Sequence, residues 1–164
     1  MPTLLSFQHE AWFPLLPDHG QRLVITSQEL YDREERLRSS FSSYSFVVFP
    51  MAKAYEGFIK SYLHQMGILP KKGYQDHKFR IGRALNPDIS LQHRDEWWFY
   101  DDLERACSAK TARLIWDTWV ECRNRIFHFY FDDEIPMPLP VAKQKLLQLS
   151  DAMREAVECG NNLK

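Results

Sequence analysis

The sequence predicts an all-α protein, a bundle of about five to six helices, and three observations predict it. Apolar residues recur at helical spacing, most clearly at Ala112, Ile115, Trp116, Trp119, Ile126, Phe127 and Tyr130. No stretch alternates convincingly with the two-residue period of a strand. The periodic stretches end in recognisable stops: Gly67 with Pro70 beyond it, the Asn86-Pro87-Asp88 turn, and Gly160. The chain has 164 residues, which fits one domain with a real core.

The elements follow in order. Residues 1–25 carry Pro2, Pro14, Pro17 and Gly20 and read as an irregular N-terminal arm, with one short strand at 22–25. Residues 26–164 read as a single helical domain. It opens on a capping box, Thr26 with Glu29 three residues on, and a helix to about Ser39. A long helix covers 43–66, and Pro50 either kinks it or marks its start. A shorter helix covers 76–85, another 93–107, and a long one 109–129. Residues 132–140 read as a loop, and a last amphipathic helix ends at Gly160.

Composition excludes several classes. No apolar run approaches the roughly 20 residues needed to cross a bilayer, so no membrane partner is expected. The start lacks a basic segment and carries His9 and Glu10 early, unlike a signal peptide. Three cysteines, Cys107, Cys122 and Cys159, cannot all pair within one chain and show no metal spacing. They read as reduced thiols of a cytoplasmic protein. Six histidines show no zinc-ligand spacing, and no Gly-rich phosphate loop is present, so neither metal nor cofactor is expected. Aromatic residues make up 14%, enough for large buried surfaces or a subunit interface. "WWFY" at 97–100 reads as core or interface rather than a base-stacking platform.

Net charge is −1, but residues 71–83 carry five Lys/Arg against one Asp, and 95–104 carry five acids and no base. The average argues against bulk nucleic-acid affinity but leaves room for a local basic strip at Lys71, Lys72, Lys78, Arg80 and Arg83. Each segment also suits an ordinary solvated surface.

The stretch 121–130, "ECRNRIFHFY", places Arg123 on the apolar stripe, four residues after Trp119. A second, polar stripe runs Asp117, Glu121, Asn124, His128. Arg123 and His128 are five positions apart, about 140° around a 3.6-residue helix. One regular helix would not focus both on a small group unless it unwinds or a second copy faces it. Without a function, the pattern suits a buried ion pair and a histidine capping a helix C-terminus.

Arg123, Asn124, His128 and Tyr130 resemble the motif of the HEPN superfamily of all-α ribonuclease and nucleotide-binding domains. There an Arg, commonly followed by Asn, precedes a His by four to six residues, and one toxin branch adds a Tyr two residues after the His. Upstream, "AYEGF" places Glu56 in mid-helix between Lys53 and Lys60. Taken alone, this suits a Glu–Lys pair four residues apart. With the Arg–His pair it looks like the catalytic domain of RnlA/LsoA-type toxins, in which a helix glutamate completes a triad. The resemblance covers roughly residues 40–130. RnlA-type toxins carry further N-terminal domains and this chain a short arm, so targets and antitoxin contacts do not carry over.

The resemblance implies a metal-independent endoribonuclease, the toxin of a toxin–antitoxin or phage-defence pair. The catalytic residues would be Glu56, Arg123 and His128, with Asn124 and Tyr130 supporting. His128 would transfer protons near neutral pH, and Arg123 would clamp the phosphate in its guanidinium fork. Glu56 would orient His128 or share proton transfer. Lys53 and Lys60 join the basic strip as candidate RNA contacts. The implied partners are RNA, a protein antitoxin and a second copy of the chain, with two motif helices meeting in a composite site. The alternative is a non-catalytic HEPN-like module binding a nucleotide or a protein.

Overall fold

A computed structural model describes residues 5–131 and 136–162. It is helical, and among the described residues the sole β feature is an isolated bridge between Ser43 and Met137. The principal helices are α1 (Asp18–Leu37), α2 (Ser45–Gln65), α6 (Ala109–Trp119) and α8 (Leu139–Asn162). Short helices α3 (Lys71–Gln75), α4 (Ile81–Ala84), α5 (Tyr100–Ala106) and α7 (Arg125–Phe127) complete the set.

Helix α2 is the centre. Its buried residues include Val47, Val48, Met51, Ala54, Tyr55, Phe58, Ile59 and Leu63, a face about half the helix wide, while Lys53, Glu56 and Lys60 lie on the other side. A buried face that wide needs more than one neighbour, and α1, α6 and α8 pack against it. Helix α8 contributes Leu146, Leu149 and Met153 to the same core, and α6 contributes Ile115. Pro50 lies inside α2 rather than at its start. Proline has no N–H and crowds the preceding turn. The next amide, Met51 N, donates to Ser27 Oγ on α1 at 2.9 Å. Gly67 ends α2 with φ of 73°, as its place after the last apolar turn predicts.

The N-terminal expectation needs correction. Residues 18–25 are helix, not an arm with a strand, and Thr26 is interior to α1, its Oγ1 donating to Arg22 O. The true start is Pro17, with Asp18 in the first turn. The preceding segment is part of the core: Leu5, Phe7, Trp12, Phe13 and Leu16 are buried. Trp12 Nε1 donates to Ser150 Oγ at 3.2 Å, and Arg154 grips Glu10 through two hydrogen bonds of 3.0 and 2.7 Å. Alternating Pro and apolar residues look irregular in a sequence window. Here they dock on α8, far along the chain. Residues 1–4, and 132–135 of the expected loop, lie outside the described residues.

The middle of the chain is also more broken than expected. Of the helix read at 76–85 only α4 is helical, with α3 lying just before that range, and the helix read at 93–107 shrinks to α5 behind a 3-10 turn at Leu91–His93. Phe99 and Tyr100 are buried and Trp97 and Trp98 pack against the core, so "WWFY" is structural.

The thiols depart from expectation too. Cys107 and Cys159 form a disulfide with Cα atoms 5.6 Å apart, tying the end of α5 to α8. This removes the argument from reduced thiols to a cytoplasmic location. Cys122 is free and buried, as a packed thiol should be. No described helix is long and apolar enough to cross a membrane.

Candidate active site

The site is built where the long helix read at 109–129 departs from regular α geometry. Helix α6 begins at Ser108, whose Oγ accepts from Thr111 N at 3.0 Å and so caps it. Its apolar stripe, Ala112, Ile115, Trp116 and Trp119, is buried. The next five residues, Val120–Asn124, form a π-helical turn, with Arg125 N bonded to Val120 O five residues back. Such turns hold an extra residue and recur at functional sites. This one keeps Cys122 in the core, its Sγ 3.8 Å from Lys145 O, while Arg123 turns outward to half-exposure. Helix α7 then adds one short turn, and His128 leaves it with extended backbone, φ −101° and ψ 141°.

The widened turn and the early exit close the angular gap. Arg123 Nη1 lies 3.5 Å from His128 Nε2 within a single chain. The contact is long. Guanidinium has no acceptor, so any hydrogen bond here has His128 Nε2 accepting. A second copy is therefore not needed to bring the two together. Asn124 Nδ2 donates to Tyr130 Oη at 3.3 Å, so the other two motif residues are also paired.

Glu56 reaches this group from α2. Its Oε1 lies 3.1 Å from Arg123 Nε and accepts from Trp119 Nε1 at 3.0 Å. Glu56 thus pairs with Arg123 on another element rather than with Lys60 on its own helix. Its partner is Arg123, not His128, which shifts the orienting role expected of it to the arginine. The fork retains Nη2 for an anion.

All five motif residues line one open cleft of about 1110 Å³. Arg80, Arg83 and Arg113 line it as well. The cleft is mixed in charge, with five arginines and four carboxylates. Arg113 Nε is held by Asp117 at 3.0 Å, and Arg83 by Asp95. Arg80 Nη1 is anchored to His77 O and Phe79 O. The basic strip therefore divides: Arg80 and Arg83 face the cleft, whereas Lys71, Lys72 and Lys78 are exposed away from it. Lys53 lines a small groove beside Glu56 and Arg123. Lys60 donates to Asp76 O at 3.0 Å and sits over the Tyr74 and Phe79 rings, a structural role.

Sequence reading missed Trp119 and Gly82. The stripe marked Trp119 as core, which it is, but its indole N–H also fixes Glu56. Its ring stacks on Trp116 with centroids 5.4 Å apart, and the Arg123 guanidinium lies 5.9 Å from it. Gly82 on α4 packs against the benzo end of this indole. A Cβ there would come within 2.4 Å of Trp119 Cη2. Only the missing side chain allows that approach.

No protein-family profile, characterised protein or solved structure matches the chain.

The geometry of the site combines an arginine whose Nη2 is left for an anion, an imidazole beside it, and a carboxylate that holds the arginine and is itself fixed by an indole. Such a set has the chemistry to hold an anion and to exchange protons beside it.

Proposed function

We propose that the protein is a metal-independent endoribonuclease of HEPN type. The observation that carries this reading is the approach of Arg123 to His128, 3.5 Å apart at the wall of an open polar cleft. RNA carries its own nucleophile. The 2′-hydroxyl attacks the adjacent phosphorus, the bond to the 5′-oxygen breaks, and the products are a 2′,3′-cyclic phosphate and a 5′-hydroxyl. The step needs a proton removed from the 2′-oxygen, a proton given to the leaving oxygen, and compensation for charge gathering on the phosphorane.

His128 is exposed in the cleft and suits proton transfer. Arg123 clamps the phosphate, and Glu56 fixes the arginine's orientation. Asn124 sets Tyr130, whose hydroxyl lies at the cleft edge. Arg80 and Arg83 extend the positive wall for the strand on one side. A homodimer in which two clefts face each other would place two Arg–His pairs on one RNA. A protein antitoxin that covers the cleft, and a cytoplasmic location where RNA is at hand, complete the proposal.

The deciding experiment is cleavage of a mixed RNA pool in EDTA by wild type, His128→Ala and Arg123→Ala, with end-group analysis. Cleavage by wild type alone, leaving cyclic phosphate ends, supports the reading. Equal cleavage by all three rejects this site. No cleavage by any form, with nucleotide binding retained, transfers the cleft to a binding module.

A further inference from the structure

A second cleft, of about 490 Å³, opens on the other side of His128. It shares Arg125, His128 and Tyr130 with the first. One wall is Ser42, Ser43 and Ser45 at the start of α2, and the other is 129–131 with 136–137. The walls are tied where Tyr44 N donates to Met137 O at 2.8 Å, beside the Ser43–Met137 bridge.

Two features of this cleft have no structural use. Phe129 is 92% exposed and Phe131 94%, although large apolar rings lose free energy in water. Arg125 is exposed and, among the described residues, forms no ion pair. The carboxylate nearest in influence, Glu121, is held by Lys145 at 3.1 Å and Gln148 at 3.0 Å. A bare guanidinium beside bare rings matches a ligand with a charged edge and flat apolar faces.

We infer that this cleft binds the nucleotide next to the scissile phosphate of a single-stranded RNA. This rests on the ribonuclease reading of the first cleft. The base stacks on Phe129 or Phe131, and Arg125 takes the adjoining phosphate. The volume falls in the range of about 300–1000 Å³ that holds a small-molecule group. Continuity through His128 gives the strand a path from Arg80 and Arg83, past the Arg–His pair, to Arg125. The strand is single because a base stacked within a duplex offers no face to a phenyl ring. Stacking tolerates any base, while the hydroxyls of Ser42 and Ser45, which donate or accept, can reward particular base edges.

The test uses the full chain and a fluorescent 2′-O-methyl hexanucleotide, in which the blocked oxygen cannot attack. Binding is followed by anisotropy for wild type, the double variant Phe129→Ala/Phe131→Ala, Arg125→Gln and Arg123→Ala. The double variant should bind about tenfold more weakly or worse. An abasic oligonucleotide should bind wild type equally weakly and lose nothing more in the variant. Arg125→Gln should flatten the salt dependence by about 0.7 in log–log slope. Unchanged affinity of the double variant, with Arg123→Ala weakened, overturns the subsite and leaves the first cleft standing. The same unchanged affinity with a dimer turned monomer in sedimentation makes the rings a protein interface. If no variant, Arg123→Ala included, alters binding, the ribonuclease reading fails and the subsite with it.

Discussion

Trp119 donates its indole N–H to Glu56 Oε1 at 3.0 Å, and this bond ties the buried stripe of α6 to the polar cleft. The same carboxylate oxygen holds Arg123 Nε at 3.1 Å. Trp119→Phe keeps most of the ring and deletes the donor. A half-buried carboxylate left one bond short should cost about 1–2 kcal/mol of stability. If the cleft cleaves RNA, kcat should fall about tenfold while KM moves little, since a loosened arginine matters most when phosphorane charge develops. Urea titration and initial-rate kinetics on one short RNA check both. A change in stability alone would confine Trp119 to packing.

Arg123→Lys should be nearly as damaging as Arg123→Ala, with a loss of about a hundredfold or more in kcat. Lysine keeps the charge but cannot bond Glu56 and a phosphate from one planar fork. Single-turnover cleavage measures this, and wild-type rates with lysine would mean that the residue supplies field rather than geometry.

Gly82→Ala should destabilise the fold by about 1–3 kcal/mol, because its methyl would press on a buried indole 2.4 Å away. Near-ultraviolet circular dichroism should change with it, since the ring reporting the change is Trp119. A neutral substitution would show that α4 sits further from α6.

The Cys107–Cys159 bond closes a loop across 52 positions. Cys107→Ser should lower unfolding free energy by about 2–4 kcal/mol. Neither cysteine lines the cleft, so activity at temperatures well below the melting transition should persist. Thiol counting in denaturant, with and without reductant, gives the redox state directly. Three free thiols without reductant would return the chain to the sequence-based expectation.

Burial pushes the Cys122 thiol up to about 12, and burial likewise raises Tyr62 to about 12. Their ordinary values are about 8.5 and 10. In both, the folded protein holds the proton more tightly than the unfolded chain. Their contribution is fully present below the unfolded values and is lost as pH rises toward the folded ones. Urea midpoints should therefore fall from about pH 8.5 upward, and Cys122→Ala should flatten the first part of that decline. Native Cys122 should resist iodoacetamide at pH 8 and react once the chain is unfolded.

Glycine, proline and apolar periodicity identified α2, most of α6 and α8 because each is long and repeats its pattern over several turns. They failed at 5–25, where burial depends on contacts such as Trp12 with Ser150 and Glu10 with Arg154, 138 and 144 positions away. Local propensity carries no signal for such pairs.

The site divides in the same way. The sequence alone determined which residue types stand at 56, 123, 124, 128 and 130, and that ideal helix geometry keeps Arg123 and His128 apart. Tertiary structure decided that they meet. The π turn keeps Cys122 packed against α8 while Arg123 reaches Glu56 on α2, and the backbone leaves the helix at His128. A widened turn is chosen by packing on two other helices at once, so no window of neighbouring residues can announce it.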